Sequence, residues 1–324
     1  MRYSIRLILV LTSALGLTSL RAQTEYTADG SPTPLEEQIR WLLNRGRFDS
    51  ASENLTRGTA YTDLPASAGP LAPNQSLTQA ARHQSQDMAT RNLIQHATVP
   101  GSAYYNPTTQ PSPGDRMAAE GYTWNIAAEN IAGGYRDASS VYVGWWNSPG
   151  HRQDMYDSAL REVGAGYFFS SSSTYRTYYT MDLGSSGSSC FFTDTTFLDA
   201  TGNGVYDQTE GVPDVVVMLI VGTSVVRSND ISGAAGSFAV PIASIPRGAT
   251  VQVVLANAGA AAVTLSVPRD YRAFASVTLR RGRNACWGPS PGQPARAMSA
   301  SATWLRHRGV SKAESDVRPV QIIP

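Results

Sequence analysis

The stretch that decides the reading of this chain is Ala128–Arg152, AENIAGGYRDASSVYVGWWNSPGHR. It sets a carboxylate, Glu129, ahead of a small-residue turn. The Trp145-Trp146 pair follows, and then His151, directly after Ser148-Pro149-Gly150. Ser148 suits a helix N-cap and Pro149 the first helical position, which puts His151 in the first turn. The positive end of that helix disfavours imidazolium, so a neutral ring is expected, able to bind a metal or accept a proton. A glutamate and a histidine also occur as hydrogen-bonding residues of buried loops, and by themselves they favour that plainer reading. Between them, Asp137 is placed to cap a helix carrying Val141 and Trp145.

Working outward from this stretch, apolar Leu35, Ile39, Leu42 and Leu43 have helical spacing over Leu35 to Arg45. Arg47 to Pro73 reads as a loop rich in Ala, Thr and Pro. Asn74 can cap the next helix, whose stripe of Leu77, Ala80, Ala81, Met88 and Ala89 runs to about Asn92. Gln84 and Ser85 share that stripe, so a polar side chain is expected to point inward. His96 lies just past the helix end, a place where a lone histidine is usually a helix-terminal or surface residue. Asn106–Gly114 reads as a loop and Asp115–Gly121 as a short helix. Val163–Phe169 and Tyr175–Leu183 read as strands. This order implies an α+β layered domain.

Several segments carry a resemblance in their order. They are LAPNQSLTQAARHQSQDMA (71–89), Asn92 and His96, PGDRMAAEGY (113–122), AENIAGGY, WWNSPGHR, VGAGY (163–167) and YYTMDLG (178–184). Over residues 35–185 the chain resembles the bacterial branch of the CAP superfamily, the SCP-like extracellular domain. The resemblance implies an α-β-α sandwich with a central cleft. In eukaryotic members two histidines and two acidic residues there can hold a divalent metal. By motif, His96 matches the first histidine, Glu129 the first glutamate and His151 the second histidine, while the second glutamate falls at about Ser148. Two imidazoles and one carboxylate would hold Zn²⁺, or another divalent metal, more weakly, with water in the open position. His83 stands beside Gln84, where bacterial members usually carry histidine, and is expected at the surface.

The resemblance implies binding, signalling or defence rather than secure catalysis. Residues 35–185 hold no cysteine and no serine in a nucleophile elbow. The leading expectation is therefore recognition of an extracellular ligand (lipid, glycan or protein) in the His/Glu cleft. The alternative is a metal-dependent hydrolase with Glu129 as base. A third reading gives the protein an adhesive or structural role at a surface.

Beyond Ser185–Ser189, read as a flexible hinge, Asp199–Glu210 reads DATGNGVYDQTE. Asp199, Thr201, Asn203, Asp207 and Glu210 occupy positions 1, 3, 5, 9 and 12 of a calcium loop. Gly204 stands at the sharp turn, and the Val205 carbonyl is the seventh-position ligand. Thr201 removes a charge from the pattern, and a calcium-free polar turn is the plainer alternative. The strand-like GVPDVVVMLIVG follows, then strand candidates at Ser237–Ile242, Thr250–Leu255, Ala261–Val267 and Ala273–Leu279. Such spacing implies an all-β sandwich over 190–286. FLDATGNGVYDQTEGVPDVVVML resembles the start of Sdr-type B domains, Ig-like modules stiffened by calcium. Cys190 and Cys286, the two cysteines present, bracket this part and would form a disulfide in an exported chain.

The remainder sets the boundaries. Residues 1–22, with Arg2 and Arg6 before an apolar run and Leu20-Arg21-Ala22 before Gln23, read as a signal peptide too short to span a membrane. Residues 23–34 read as a linker and 287–324 as a disordered tail. A net charge of +1 with 16% charged residues argues against a nucleic-acid partner. The chain is thus expected to be secreted, extracellular or periplasmic, without a transmembrane anchor. Its oligomeric state is not legible.

Overall fold

The computed structural model describes residues 30–242, except 67, 103, 104, 106, 107, 109–111, 188, 189, 198, 199, 202, 222 and 223. It also describes backbone strands at 250–257 and 273–278. The expected signal peptide, the strand candidate Ala261–Val267, Cys286 and the tail lie outside the described residues.

Helix α1, Pro34–Phe48, starts in a capping box between Thr33 and Glu36, with Pro34 in its first turn. Its Ile39, Trp41, Leu42 and Leu43 are buried. A second helix, α2 (Ser50–Arg57), occupies part of the stretch expected to be a loop. Asp49 caps it and Gly58, at φ 65°, ends it in the left-handed region. No apolar stripe announces α2, because its inward residue is charged. Buried Glu53 takes Arg45 at 2.9 Å and Arg57 at 2.7 Å, while Leu55 is 84% exposed.

After the short strand β1 (Ala72–Pro73) comes α3, Gln75–Arg91, capped by Asn74 and closed by Asn92 at φ 57°. Helix α4 is Pro113–Ala119. Strand β2, Ile126–Gly133, carries Glu129. Helices α5 (Ala138–Asn147) and α6 (Pro149–Tyr156) follow, then strands β3 (Glu162–Phe169) and β4 (Thr177–Ser185). The sheet order is β1-β3-β4-β2, with β1 parallel to β3 and the other pairs antiparallel.

Helices cover both faces of this sheet. On one face Val163, Ala165, Met181 and Leu183 share a core with Trp41 and Leu42 of α1, Val141 and Trp145 of α5, and Met155 of α6. On the other face α3 lies so close that side chains are excluded from β3. A Cβ on Gly164 would sit 2.0 Å from Thr78 N, and one on Gly166 would sit 2.3 Å from the Ala81 carbonyl carbon. The VGAGY motif is thus a docking strip, its glycines facing α3 and its apolar residues facing α1. The expected three-layer α-β-α arrangement is what forms.

The chain then enters a second unit. Strands β5 (Phe191–Thr195) and β8 (Ser237–Pro241) pair antiparallel. Strands β6 (Val215–Val221), β7 (Ser224–Ile231), β9 (Thr250–Asn257) and β10 (Ala273–Thr278) form an antiparallel sheet in the order β10-β9-β6-β7. The sequence reading passed over β5 and β7.

The expected hinge is tied down where it is described. Ser186 Oγ donates to Glu162 at 2.9 Å. Beyond it, the second unit is docked on α1. Phe197 and Tyr206 are buried in the core that holds Trp41, with the Phe197 ring edge-on to Trp41 at 6.1 Å and to Tyr206 at 5.7 Å. Shared apolar burial and buried hydrogen bonds join the second unit to α1 at this junction.

Candidate functional site

The site gathers at one edge of the sheet. Glu129 projects from β2, and its side chain is 1% exposed. His96 follows α3 in the loop beginning at Asn92, and its side chain is 52% exposed. His96 Nδ1 lies 2.8 Å from Glu129 Oε1. A carboxylate oxygen only accepts, so Nδ1 carries the proton of this bond, and Nε2 is the ring nitrogen turned away from Glu129. Two donors fix the loop that holds this ring. Arg116 Nη1 of α4 donates to His96 O at 2.7 Å, and Gln84 Nε2 of α3 donates to Gln95 O at 2.6 Å. Gln84 is the inward polar residue expected on the α3 stripe, at 1% exposure. His83 sits at the surface beside Glu120, as expected.

The other oxygen of Glu129 takes Arg116 Nη2, and both side chains are almost wholly buried. Beneath this pair is a second acid. Asp182 of β4 stands directly across the antiparallel ladder from Glu129 and is 0% exposed. Burial, and then the neighbouring Glu129, holds its carboxyl well above the usual carboxylate range, with Arg116 opposing the shift. One guanidinium thus stands near two carboxyl groups, and burial beside Glu129 favours the protonated form of Asp182.

His151 lies in the first turn of α6, and Asn130 Nδ2 of β2 donates to its carbonyl at 3.0 Å. Its pKa is lowered from the ordinary histidine value, by burial first and by His96 second. The ring is therefore biased towards neutrality as expected, but burial and a neighbouring imidazole cause it rather than the helix end. Ser148 is the N-cap by position, yet its side chain makes no capping hydrogen bond. It is Glu129 and His96, not Glu129 and His151, that form the direct carboxylate–imidazole contact.

Four residues of this site were not singled out from the sequence. Arg116 and Asp182 lie inside segments that carried the resemblance, and Asn130 adjoins Glu129. Asp154 is three residues beyond His151, a spacing that places both on one side of α6. It is half-buried, and its pKa is raised by desolvation, with nearby His96 opposing the shift.

The donor set bears on the expected zinc. Both Glu129 oxygens are engaged, one by His96 and one by a buried guanidinium. Among the described residues no group of three or more His, Cys, Asp and Glu side chains is arranged to hold a metal ion. As arranged, these residues do not fit a zinc centre. The chemistry they do offer is a half-exposed imidazole of fixed orientation, backed by a buried ion pair and flanked by a second, neutral-leaning imidazole.

In the expected calcium loop, Gly204 has φ 70° and makes the turn. Glu210 Oε1 accepts from Ala200 N and Thr201 N, and its Oε2 accepts from Asp207 N. Asn203 Nδ2 donates to Asp207 Oδ2 at 3.1 Å, while Asp199 lies outside the described residues. Cys190 is buried, and its expected partner Cys286 also lies outside them.

Residues 42–183 match the family model of the cysteine-rich secretory protein family, CAP, and a CAP-like domain occupies this segment. A Bacillus subtilis (strain 168) protein, YkwD, is 34% identical over 103 residues. That match takes in 32% of this chain and 37% of the relative, so the chain spans little more than a third of that protein's length. Among solved structures, an extracellular protein containing an SCP domain from Bacillus anthracis is 27% identical, covering 46% of this chain and 39% of its own, with a TM-score of 0.33. An outer surface protein from Borrelia burgdorferi is 14% identical, covering 46% of this chain and 92% of its own, also with a TM-score of 0.33. Among the described residues no helix is long and apolar enough to cross a membrane.

Proposed function

We propose that the chain is an exported recognition protein whose CAP-like domain binds an extracellular ligand in the cleft of His96, Glu129 and His151. One observation carries this reading. His96 is half-exposed, yet its Nδ1 is fixed by a carboxylate that is itself buried against Arg116. A side chain so anchored presents Nε2 to a ligand with little further loss of conformational freedom. Export is supported by the signal-like residues 1–22.

The test compares the full exported chain with its His96→Ala/His151→Ala variant on a glycan array, on lipid vesicles and on surface-protein fractions. Binding lost in the variant, with an unchanged circular dichroism spectrum and no turnover of the bound material, is the expected result. Equal binding by both proteins would move recognition away from the cleft and towards an adhesive role for the second unit. The hydrolase alternative requires stoichiometric Zn²⁺ binding that the double variant loses, together with turnover. It has less support, because Arg116 occupies the carboxylate such a centre would use.

For the second unit the proposal is a calcium-stiffened β-module closed by a Cys190–Cys286 disulfide. Asp199, Thr201, Asn203, Asp207 and Glu210, with the Val205 carbonyl, would hold the ion, which supplies loop rigidity rather than chemistry. What supports this reading is the convergence of Asn203, Asp207 and Glu210 on the turn at Gly204; the ion would have to displace the N–H donors that now engage the Asp207 and Glu210 carboxylates. A Ca²⁺-dependent rise in melting temperature that Glu210→Gln abolishes is the expected result.

A further inference from the structure

The seam between α1 and β5 is built from charged groups, and their number does not balance. On α1, Glu37 and Arg40 are 0% and 2% exposed. Arg40 grips Glu37 through Nε at 2.9 Å and Nη2 at 2.5 Å. The same guanidinium reaches into the second unit, donating to Asp194 O at 2.9 Å and Thr195 Oγ1 at 2.8 Å. It also donates to Leu71 O at 3.2 Å in the CAP-like domain, and Thr195 Oγ1 donates to Glu37 Oε1. Asp194 brings a second carboxyl to this seam at 8% exposure. Its Oδ1 accepts from Thr195 N at 2.8 Å, whereas Oδ2 has no hydrogen-bond donor among the described residues.

One cation therefore serves two acids, and its two-pronged grip goes to Glu37. We propose that the docking of the second unit on the CAP-like domain is proton-linked, with Asp194 carrying a proton while β5 is seated and its ionisation at alkaline pH loosening the seam. A neutral carboxyl tolerates a seam where a second unpaired carboxylate would be left buried.

The neighbouring groups agree. The Asp194 carboxyl is pushed up to about 8, by burial above all, and Glu37 adds to the rise. Arg40 and the Thr195 N–H oppose it. Tyr206 shares Glu37 and Arg40 with this seam, and its phenol is pushed up by burial and then by Glu37, so it stays neutral across this range. An acid whose folded value is raised is most stabilised at low pH. Its contribution is lost as pH rises from the ordinary aspartate value of about 4 towards the raised value, then levels off. In that window the folding constant falls about tenfold per pH unit through this one proton.

The test measures urea unfolding of the full chain from pH 5 to 9.5, beside Asp194→Asn. The difference between the two proteins isolates Asp194, because every other ionisable group is common to both. The expected result is a gap that widens by about tenfold per pH unit between pH 5 and 8 and then becomes constant. Over the same range, the protection factors of peptides 34–48 and 191–195, which remove the base-catalysed rise of intrinsic exchange, should fall in the wild type and hold steady in the variant. Parallel profiles throughout, or protection factors that change equally in both, would overturn the proposal. Glu37→Gln supplies an independent check, since it frees Arg40 to pair with Asp194. It should shift the pH-dependent window downward, and an unmoved window would overturn the charge argument even if Asp194→Asn does not fold.

Discussion

Replacing Arg116 by methionine tests the electrostatic core of the cleft. The guanidinium and the Glu129 carboxylate are 0% and 1% exposed, so neither charge is compensated by water. Removing one partner of such a buried pair costs about 3–5 kcal/mol, most of it the penalty of the charge left behind. For a domain of this size, each kcal/mol corresponds to a melting shift of about 2–4 °C, so Arg116→Met should melt about 6–20 °C below the wild type. Asp182 makes the effect asymmetric. In Glu129→Gln the guanidinium can pair with Asp182 across the ladder, and that variant should lose clearly less than Arg116→Met. The double variant Arg116→Met/Glu129→Gln should recover part of the loss, because no buried carboxylate at position 129 remains uncompensated. Urea unfolding followed by tryptophan fluorescence at pH 7 gives all three values. If Arg116→Met stays within about 1 kcal/mol of the wild type, a far smaller effect than a broken buried pair produces, the buried ion-pair argument fails.

Three further outcomes follow from particular residues. Gly164→Ala drives a Cβ to within 2.0 Å of the α3 backbone and should cost about 3 kcal/mol or more in thermal unfolding. Gly150→Ala meets nothing within 4 Å and lies in α6, so it should be neutral or stabilising by up to about 1 kcal/mol. Asp49→Ala removes the cap of α2 and should cost about 0.5–2 kcal/mol in urea titration.

Much of the CAP-like fold could be read in advance because its signals are local. Asn74 and Asp137 announce their helices by chemistry that needs only the next three residues, and the stripe of α3 needs only its own period. What escaped was built from distant partners. Helix α2 carries its inward contact on Glu53, whose stability depends on Arg45 and Arg57 from two helices. Strand β5 docks through Thr193 and Thr195 onto Arg40, more than 150 residues away in the chain, so no window of sequence shows why that strand forms or why the expected hinge is clasped. The glycines of VGAGY were visible as a motif, but their reason, an approach of α3 too close for any side chain, exists only between two elements.

The cleft divides along the same line. His96, Glu129 and His151 came from motifs, yet the groups that define their state came from pairing and register. Asp182 matters because the β2–β4 ladder sets it opposite Glu129, and a one-residue slip in that pairing would turn it to the other face. Arg116 matters because α4 carries it beneath the His96 loop. The departure at Ser148 also gains a physical sense from the helix that begins there. A carboxyl absent from the end of α5 reappears one turn beyond His151 as Asp154, half-buried and within the influence of His96. The cleft therefore keeps an acid near its imidazoles while placing a buried guanidinium behind Glu129. That combination suits hydrogen-bonded recognition of a ligand better than the capture of a second cation.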